Sequence, residues 1–511
     1  MELIKKNRNL FNLLIITVIA LGLRMFMLGS QSLWTDEGAI YSQTKVGSVF
    51  DVYSAVMNQE GHIGPFYHIL NYLFCRLFGY AEWALRMPSA IYGTISVILV
   101  YKIAELLINR DVALFSSVLL AFSPVHVWYS QEARMYSLWI MLTLLVTFLF
   151  IKLLDKGSLW LWTLFTVFAS LSLWTFLNSI FLFAAMGLYL VIFIKRYKKE
   201  LCFYVVCMLV VAASYLPGVI TLLAKTSAAG TTEAAGFRTT TVFDIIYAFC
   251  VFNVGTTLGP PLDTIRALLK QSGPANTAWN IVSHYGLLMI PSMLVCAGIF
   301  LYAAYKAITR RKNAHYIFIL VLLFVPLILI YGITFLSSSL RFNVRYILCV
   351  LPFYLLLLSI AADGLSTGKR WVLLSCMVFL SACSLFNHYF RAEYAKLDFR
   401  SVVKYLNETM KDGDNAIIIH ESASRVLEYY DKTATLAQYD ISQHNSSESA
   451  SSIINRSRKI FYVKSIRTYT YNQEDIKRIE NVLAEKFHLI HSVNRALNIE
   501  IKIYERPDRD I

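Results

Sequence analysis

The stretch Leu33-Trp34-Thr35-Asp36-Glu37-Gly38 places two adjacent carboxylates directly after the first apolar run of the chain, which begins near residue 10. A second polar island, Ser130-Gln131-Glu132-Ala133-Arg134-Met135-Tyr136, lies between two later apolar runs. Carboxylates at a membrane surface are suited to act as a general base on a substrate held partly in lipid. The pair of islands therefore directs attention to chemistry at the edge of a bilayer.

Composition agrees with that setting. Of 511 residues, 57% are hydrophobic, 14% aromatic and only 16% charged, and the mean hydropathy is +0.53. That is far more apolar surface than a soluble core of this length requires, and it fits a polytopic membrane protein. The net charge of +14 resides in short Lys/Arg clusters between apolar runs. Such clusters read as a positive-inside signal rather than a nucleic-acid surface. Of the eight cysteines, Cys75, Cys202, Cys207, Cys296, Cys349, Cys376 and Cys383 lie in apolar segments and Cys250 in a mixed one. With no C-x-x-C pair and no cysteine in the polar tail, neither a disulfide framework nor a thiolate metal site is indicated.

Apolar runs long enough to span a hydrocarbon core begin near residues 10, 87, 137, 159, 178, 201, 284, 315, 344 and 370, and a shorter one covers 111–127. The segment 64–79 is shorter and interrupted by polar residues. If it does not span, Lys102 to Arg110, Lys152 and Lys156, Lys195 to Lys199, Lys306 to Lys312 and Lys369-Arg370 all join Lys5, Lys6 and Arg8 inside the cell; if it does, all of those clusters move outside. Residues 64–79 are therefore read as a juxtamembrane helix, giving about 11 transmembrane helices and an external C-terminus. The basic residues before the first run also suit a signal peptide. The segment carries no convincing small-x-small cleavage site, and the spans that follow it favour a retained anchor.

The resulting expectation is a membrane all-α domain over residues 1–389 and an external soluble α/β domain over 390–511. The membrane domain has external loops at 30–86 and 224–282. In the tail, helices near 399–410, 423–430 and 472–486 alternate with strands near 415–420, 459–463, 488–493 and 498–504, as in a small α/β fold. The Ser-rich stretch 442–452 reads as a loop, and no Gly-rich nucleotide loop is present. The long loop carries a Thr/Ala/Gly-rich stretch (226–241), an apolar helix-like segment (242–254) and a basic run ending near Lys270. It is either a lid that excludes water or a connector lying on the membrane.

The segments Trp34-Thr35-Asp36-Glu37, Gly61-His62-Ile63-Gly64-Pro65-Phe66-Tyr67, Phe78-Gly79-Tyr80-Ala81-Glu82-Trp83-Ala84-Leu85-Arg86-Met87-Pro88-Ser89, Ser123-Pro124 and Tyr129 to Tyr136 together resemble bacterial integral-membrane glycosyltransferases. These belong to the superfamily of dolichyl-phosphate-mannose-protein mannosyltransferases and aminoarabinose transferases, with the fold called GT-C. Arg345-Tyr346 and Leu397 to Val403 are similar to later landmarks of that group.

The resemblance implies inverting transfer of a sugar from a polyprenyl phosphate to a lipid, glycan or protein acceptor at the outer face of a bacterial cell membrane. Asp36 matches the family's first-loop catalytic aspartate, the base for the acceptor hydroxyl. Glu37 would orient it or bind acceptor. His62 falls where relatives place a His or Lys before a Pro-containing turn, although His-Ile-Gly-Pro-Phe-Tyr carries one residue more than the usual pattern. Arg134 and Arg345 are fork-shaped donors suited to the carrier phosphate, with Arg86 and Arg341 as further candidates. Glu132 would balance Arg134, while Trp34 and Tyr136 are supporting or acceptor-binding candidates.

Simpler roles compete with each assignment: a solvated Asp-Glu loop, an interfacial Glu132–Arg134 pair, a snorkelling Arg345, a satisfied interface histidine. No cofactor is expected, and no His/Asp/Glu cluster at fixed spacing supports a metal, although the wider fold class includes metal-using and metal-free enzymes. The competing class is a transporter or flippase of lipid-linked saccharides, which would favour charges mid-span and broken inverted repeats. Here charge gathers at span ends.

Overall fold

The computed structural model describes residues 2–60, 63–228, 240–259, isolated positions between 283 and 305, 314–337, 342–411, 414–419, 423–431, 438–440, 454–455, 457–465, 473–496 and 499–507. Among these, five helices are long and apolar enough to cross a membrane: Glu82–Leu107, Tyr136–Asp155, Ala314–Leu336, Val344–Asp363 and Thr367–Phe390. Two bent pairs, Arg110–Phe122 with Pro124–Ser130 and Ile194–Ser214 with Leu216–Lys225, raise the number to seven if each is one span. Leu10–Met25, Leu159–Leu173 and Ser179–Ile192 are shorter apolar helices. The chain is thus a multi-pass membrane protein. Ten of the eleven apolar runs read from the sequence coincide with these helices, and the run from about residue 284 lies mostly outside the described residues.

Most of the elements that build the site come early in the chain. They are α1 (Glu2–Met25), α2 (Thr35–Thr44), α3 (Val49–Gln59), α4 (Phe66–Phe78), α5 (Glu82–Leu107), α6 (Arg110–Phe122), α7 (Pro124–Ser130) and α8 (Tyr136–Asp155). Segment 64–79 forms α4, which does not reach the length and hydropathy of a span. It is anchored by a close approach: a Cβ on Gly64 would lie 1.9 Å from the Trp174 carbonyl oxygen, so the Ile63–Phe176 bridge requires glycine there.

The break between α6 and α7 has a local cause. Pro124 has no N–H to offer the Leu120 carbonyl and bends the span by 58°. Arg24 from α1 fills the gap. Its guanidinium donates to Ala20 O at 2.8 Å and to Leu120 O and Ala121 O at 3.2 Å, and contacts His126 Nδ1 at 2.7 Å. A fully buried arginine between apolar helices is tolerated because it satisfies carbonyls that the proline leaves unpaired.

Beyond the last span, the chain forms a five-stranded sheet of order β2-β1-β3-β5-β4, with β1 (Asn415–Ile419), β2 (Gln438–Asp440), β3 (Lys459–Ser465), β4 (His488–Ala496) and β5 (Ile499–Glu505). β1 runs parallel to β2 and β3, while β5 runs antiparallel to β3 and β4. Alternation along β3 decides which layer covers each face. Ile460 and Tyr462 pack on Ile476, Ile479 and Leu483 of the helix Gln473–Lys486. Phe461 and Val463 join the core shared with the helices Phe399–Thr409 and Ala423–Tyr430 and with the membrane helices. The α/β pattern read from sequence is present, with β2 as an additional strand. The Ser-rich stretch 442–452, the basic part of the long loop and most of 226–241 lie outside the described residues, whereas its apolar segment is the helix Val242–Val254.

Candidate active site

The first polar island folds into the start of α2, and the second into the turn between α7 and α8. Glu37 occupies the third position of α2 and accepts at 3.4 Å from the Trp34 backbone N–H, one of the donors that a helix start leaves without an intrahelical partner. Its carboxylate meets Arg86 of α5 in a two-point pair, Oε1 to Nε at 2.8 Å and Oε2 to Nη2 at 2.7 Å. Oε1 also accepts from the Ala133 backbone N–H at 2.9 Å, which ties the two islands together. Lys396 Nζ lies 3.1 Å from Glu37 Oε2 and 3.8 Å from Glu132 Oε1. The Trp128 indole donates to Glu132 Oε1 at 2.7 Å.

Glu37, Glu132, Arg86 and Lys396 thus form a balanced group of two anions and two cations, all buried. Burial alone would push the Glu37 carboxyl up. The charges of Arg86 and Lys396, with the hydrogen bonds from Arg86 and Ala133, outweigh it and bring the carboxyl down to about 2. Glu132 is pushed above the usual carboxylate range, chiefly by burial and further by the Glu37 charge. Burial pulls Lys396 down, against the pull of Glu37.

Asp36 points the other way. Its side chain is 30% exposed, and its Oδ2 accepts from Arg345 Nη1 at 3.1 Å; Arg345 is itself 28% exposed. Arg345 sits at the start of the Val344–Asp363 segment, where Asn343 caps the first turn and accepts from the Arg345 N–H at 3.1 Å. Its guanidinium carbon lies 5.3 Å from the centre of the Tyr346 ring. Arg134 Nη1 reaches the Asp36 backbone carbonyl at 3.4 Å. The Nε atoms of Arg134 and Arg345 are buried without a hydrogen-bond partner. Tyr136 is buried in edge-on contact with Tyr129 at 5.0 Å and Phe176 at 6.0 Å. Trp34, half-buried, has an unpaired indole N–H.

The structure therefore brings Asp36, Arg134 and Arg345 together and separates them from Arg86 and Glu37. Arg86 was a clamp candidate by sequence. Its Nε and Nη2 meet Glu37, Nη1 meets Leu28 O and Gln31 O, and Nη2 also meets Ser32 O, so it has no donor left for a phosphate. Glu132 is paired with Trp128 and Lys396 instead of with Arg134. His62 and Arg341 lie outside the described residues. Lys396 was not singled out by sequence. Its signal was available: a cation just beyond the last span, on the side the positive-inside pattern leaves poor in charge.

Asp36 Oδ2 is engaged by Arg345 and both Glu37 oxygens are engaged by cations or an N–H. No three His, Cys, Asp or Glu side chains converge among the described residues.

Residues 62–220 match the family model described as dolichyl-phosphate-mannose-protein mannosyltransferase. No curated protein matches the chain in sequence. In fold, the chain is similar over 96% of its length to 97% of the apo structure of ArnT from Cupriavidus metallidurans, with a TM-score of 0.58 and 13% identity. The same protein bound to undecaprenyl phosphate gives a TM-score of 0.57 at the same identity and coverage. The Archaeoglobus fulgidus oligosaccharyltransferase tethered to an acceptor peptide is similar over all of this chain and 75% of its own, with a TM-score of 0.56 and 13% identity. The fold shared with these structures is of the GT-C type. Within that class the residue match runs from the end of the first loop through the span pairs that follow it.

Proposed function

We propose that this protein is an inverting glycosyltransferase that moves a sugar from a polyprenyl phosphate onto a lipid, glycan or protein acceptor at the outer face of the membrane. The observation that carries the reading is the juxtaposition of one half-exposed carboxylate, Asp36, with two arginines that retain unpaired donors. The structures similar in fold include one bound to undecaprenyl phosphate. The positive-inside distribution of Lys and Arg supports an outer location for this rim.

In this reading the carrier phosphate enters between Arg134 and Arg345. An ion pair as exposed as Asp36–Arg345 is worth only about 0–1 kcal/mol. A phosphate able to accept two forked, charge-assisted hydrogen bonds competes for Arg345 and leaves Asp36 free. The acceptor hydroxyl oxygen then attacks the anomeric carbon while Asp36 takes its proton. The bond from that carbon to the phosphate oxygen breaks, and its electron pair stays on the oxygen, where Arg134 and Arg345 balance the developing charge. Glu37 holds the first turn of α2 rather than touching the acceptor.

The test is sugar transfer by purified protein in liposomes from a panel of radiolabelled polyprenyl-phosphate sugars, beside Asp36→Asn. Transfer or slow donor hydrolysis that disappears in Asp36→Asn supports the reading. Absence of turnover for every donor, with movement of the lipid-linked sugar across the bilayer, would assign the chain to the flippase class instead.

A further inference from the structure

Helix α2 carries Asp36 and is held from two sides. On the membrane side stands the Glu37–Arg86 pair. The other side belongs to the polypeptide beyond the last span. A Cβ on Gly38 would lie 2.8 Å from Val426 Cγ2 and 2.9 Å from the Val426 backbone nitrogen, so the helix Ala423–Tyr430 rests directly on the α2 backbone two residues after Asp36. Tyr429 meets Tyr41 edge-on, with ring centres 4.8 Å apart.

The Tyr430 hydroxyl accepts from the Leu33 N–H at 2.8 Å and donates to Glu82 Oε1 at 3.1 Å. Arg400 donates to the same Glu82 oxygen at 2.8 Å. These contacts fix the residues immediately before the first turn of α2. Lys396 then reaches under that turn to the carboxylates of both islands, Glu37 beside Asp36 and Glu132 two residues before Arg134.

We propose that Tyr430 and Lys396 are positioning residues for Asp36 and Arg134, so that the C-terminal α/β domain completes the active site instead of merely capping the membrane domain. This rests on the function proposed above. The physical argument is one of order. The first loop enters α2 through Leu33 and Trp34, and its backbone N–H groups need fixed acceptors to hold one conformation. Tyr430 and Glu37 supply acceptors at successive positions, 33 and 34. Lys396 neutralises two carboxylates that would otherwise repel each other across the joint between the islands. Removing either contact leaves the chain folded around Arg86 but frees α2 to shift. Displacements near 1 Å lower turnover on the order of 100-fold.

The experiment compares full-length wild type, Tyr430→Phe, Lys396→Met, Lys396→Arg and Gly38→Ala in liposomes. It reads hydrogen–deuterium exchange of residues 35–44, kcat, and the Kd for undecaprenyl phosphate. Exchange in α2 is expected to rise about ten-fold or more in Tyr430→Phe and Lys396→Met, with α6 unchanged as the internal reference. Turnover is expected to fall on the order of 10- to 100-fold while Kd stays within about two-fold, and Lys396→Arg is expected to recover most of it. Should Lys396→Met fail to fold, the isosteric Tyr430→Phe and Gly38→Ala carry the same readout.

Unchanged exchange in α2 of the folded variants overturns the proposal, whether or not the protein turns over. Unchanged kcat beside an inactive Asp36→Asn overturns it while leaving the glycosyltransferase reading intact. Wild type inactive with every donor, but α2 loosened as expected, removes the glycosyltransferase reading and keeps the positioning role.

Discussion

Arg345 Nη1 lies 3.1 Å from Asp36 Oδ2 although the two residues are 309 positions apart in the chain. The contact joins the start of α2, in the first loop, to the start of a late span. A cation held against the proposed base has two consequences: the base is oriented before substrate arrives, and the cation must be drawn away before the base can act.

Asp36→Asn separates these roles. The amide keeps the shape of the side chain but accepts no proton, so turnover is expected to fall about 100- to 10,000-fold. Donor binding is expected to hold or tighten, because Arg345 no longer has a competing carboxylate. Measuring kcat together with the Kd for a polyprenyl phosphate checks both, and a parallel loss of binding would contradict the assignment.

Arg345→Lys retains the charge and loses the fork. A charge-assisted hydrogen bond to a phosphate is worth about 1.5–3 kcal/mol, so the loss of one is expected to raise the donor Kd about 10- to 100-fold. Arg134→Lys is expected to behave alike, whereas Arg86→Lys is expected to lower thermal stability without a specific effect on donor Kd in the protein that remains folded. Titration of the three variants with undecaprenyl phosphate, next to their melting curves, distinguishes clamp from scaffold.

The span pattern, the α4 helix and most of the α/β tail were legible because hydrophobic period and length are local properties. β2 was not, since Gln438–Asp440 is three residues long and, among the described residues, is paired through β1 alone. The opposite surroundings of Asp36 and Glu37 were not legible either. Adjacent helical residues diverge by about 100° around the axis, and which one faces Arg86 depends on how α5 packs. The position of Glu37 at the third residue of a helix was a usable hint. Glu132 and Arg134 sit close in sequence and so suggested a pair. Lys396, 264 residues after Glu132, takes the carboxylate instead, through a contact that no local pattern encodes.

Glu37 and Glu132, both buried beside Lys396, are expected to give stability opposite dependences on pH. The folded value of Glu37, about 2, lies below its unfolded value near 4.5. Its contribution is therefore fully present above about pH 5 and is lost as pH falls toward 2, on the order of 3 kcal/mol in all. The folded value of Glu132 lies above its unfolded one. Its charged form is disfavoured by folding, so this contribution is present below the unfolded value and is lost as pH rises through the folded one. Glu37→Gln strands Arg86 in a buried site and is expected to destabilise by about 3–5 kcal/mol at pH 7 and to flatten the acid limb of the stability curve. Glu132→Gln keeps an acceptor for the Trp128 indole and removes the disfavoured charge. It is expected to change stability at pH 7 by less than about 1 kcal/mol and to leave the acid limb in place. Melting temperatures of the two variants and wild type between pH 2 and 8, in one detergent, decide the matter; equal losses in both variants would show that the two carboxylates act as a single unit around Lys396.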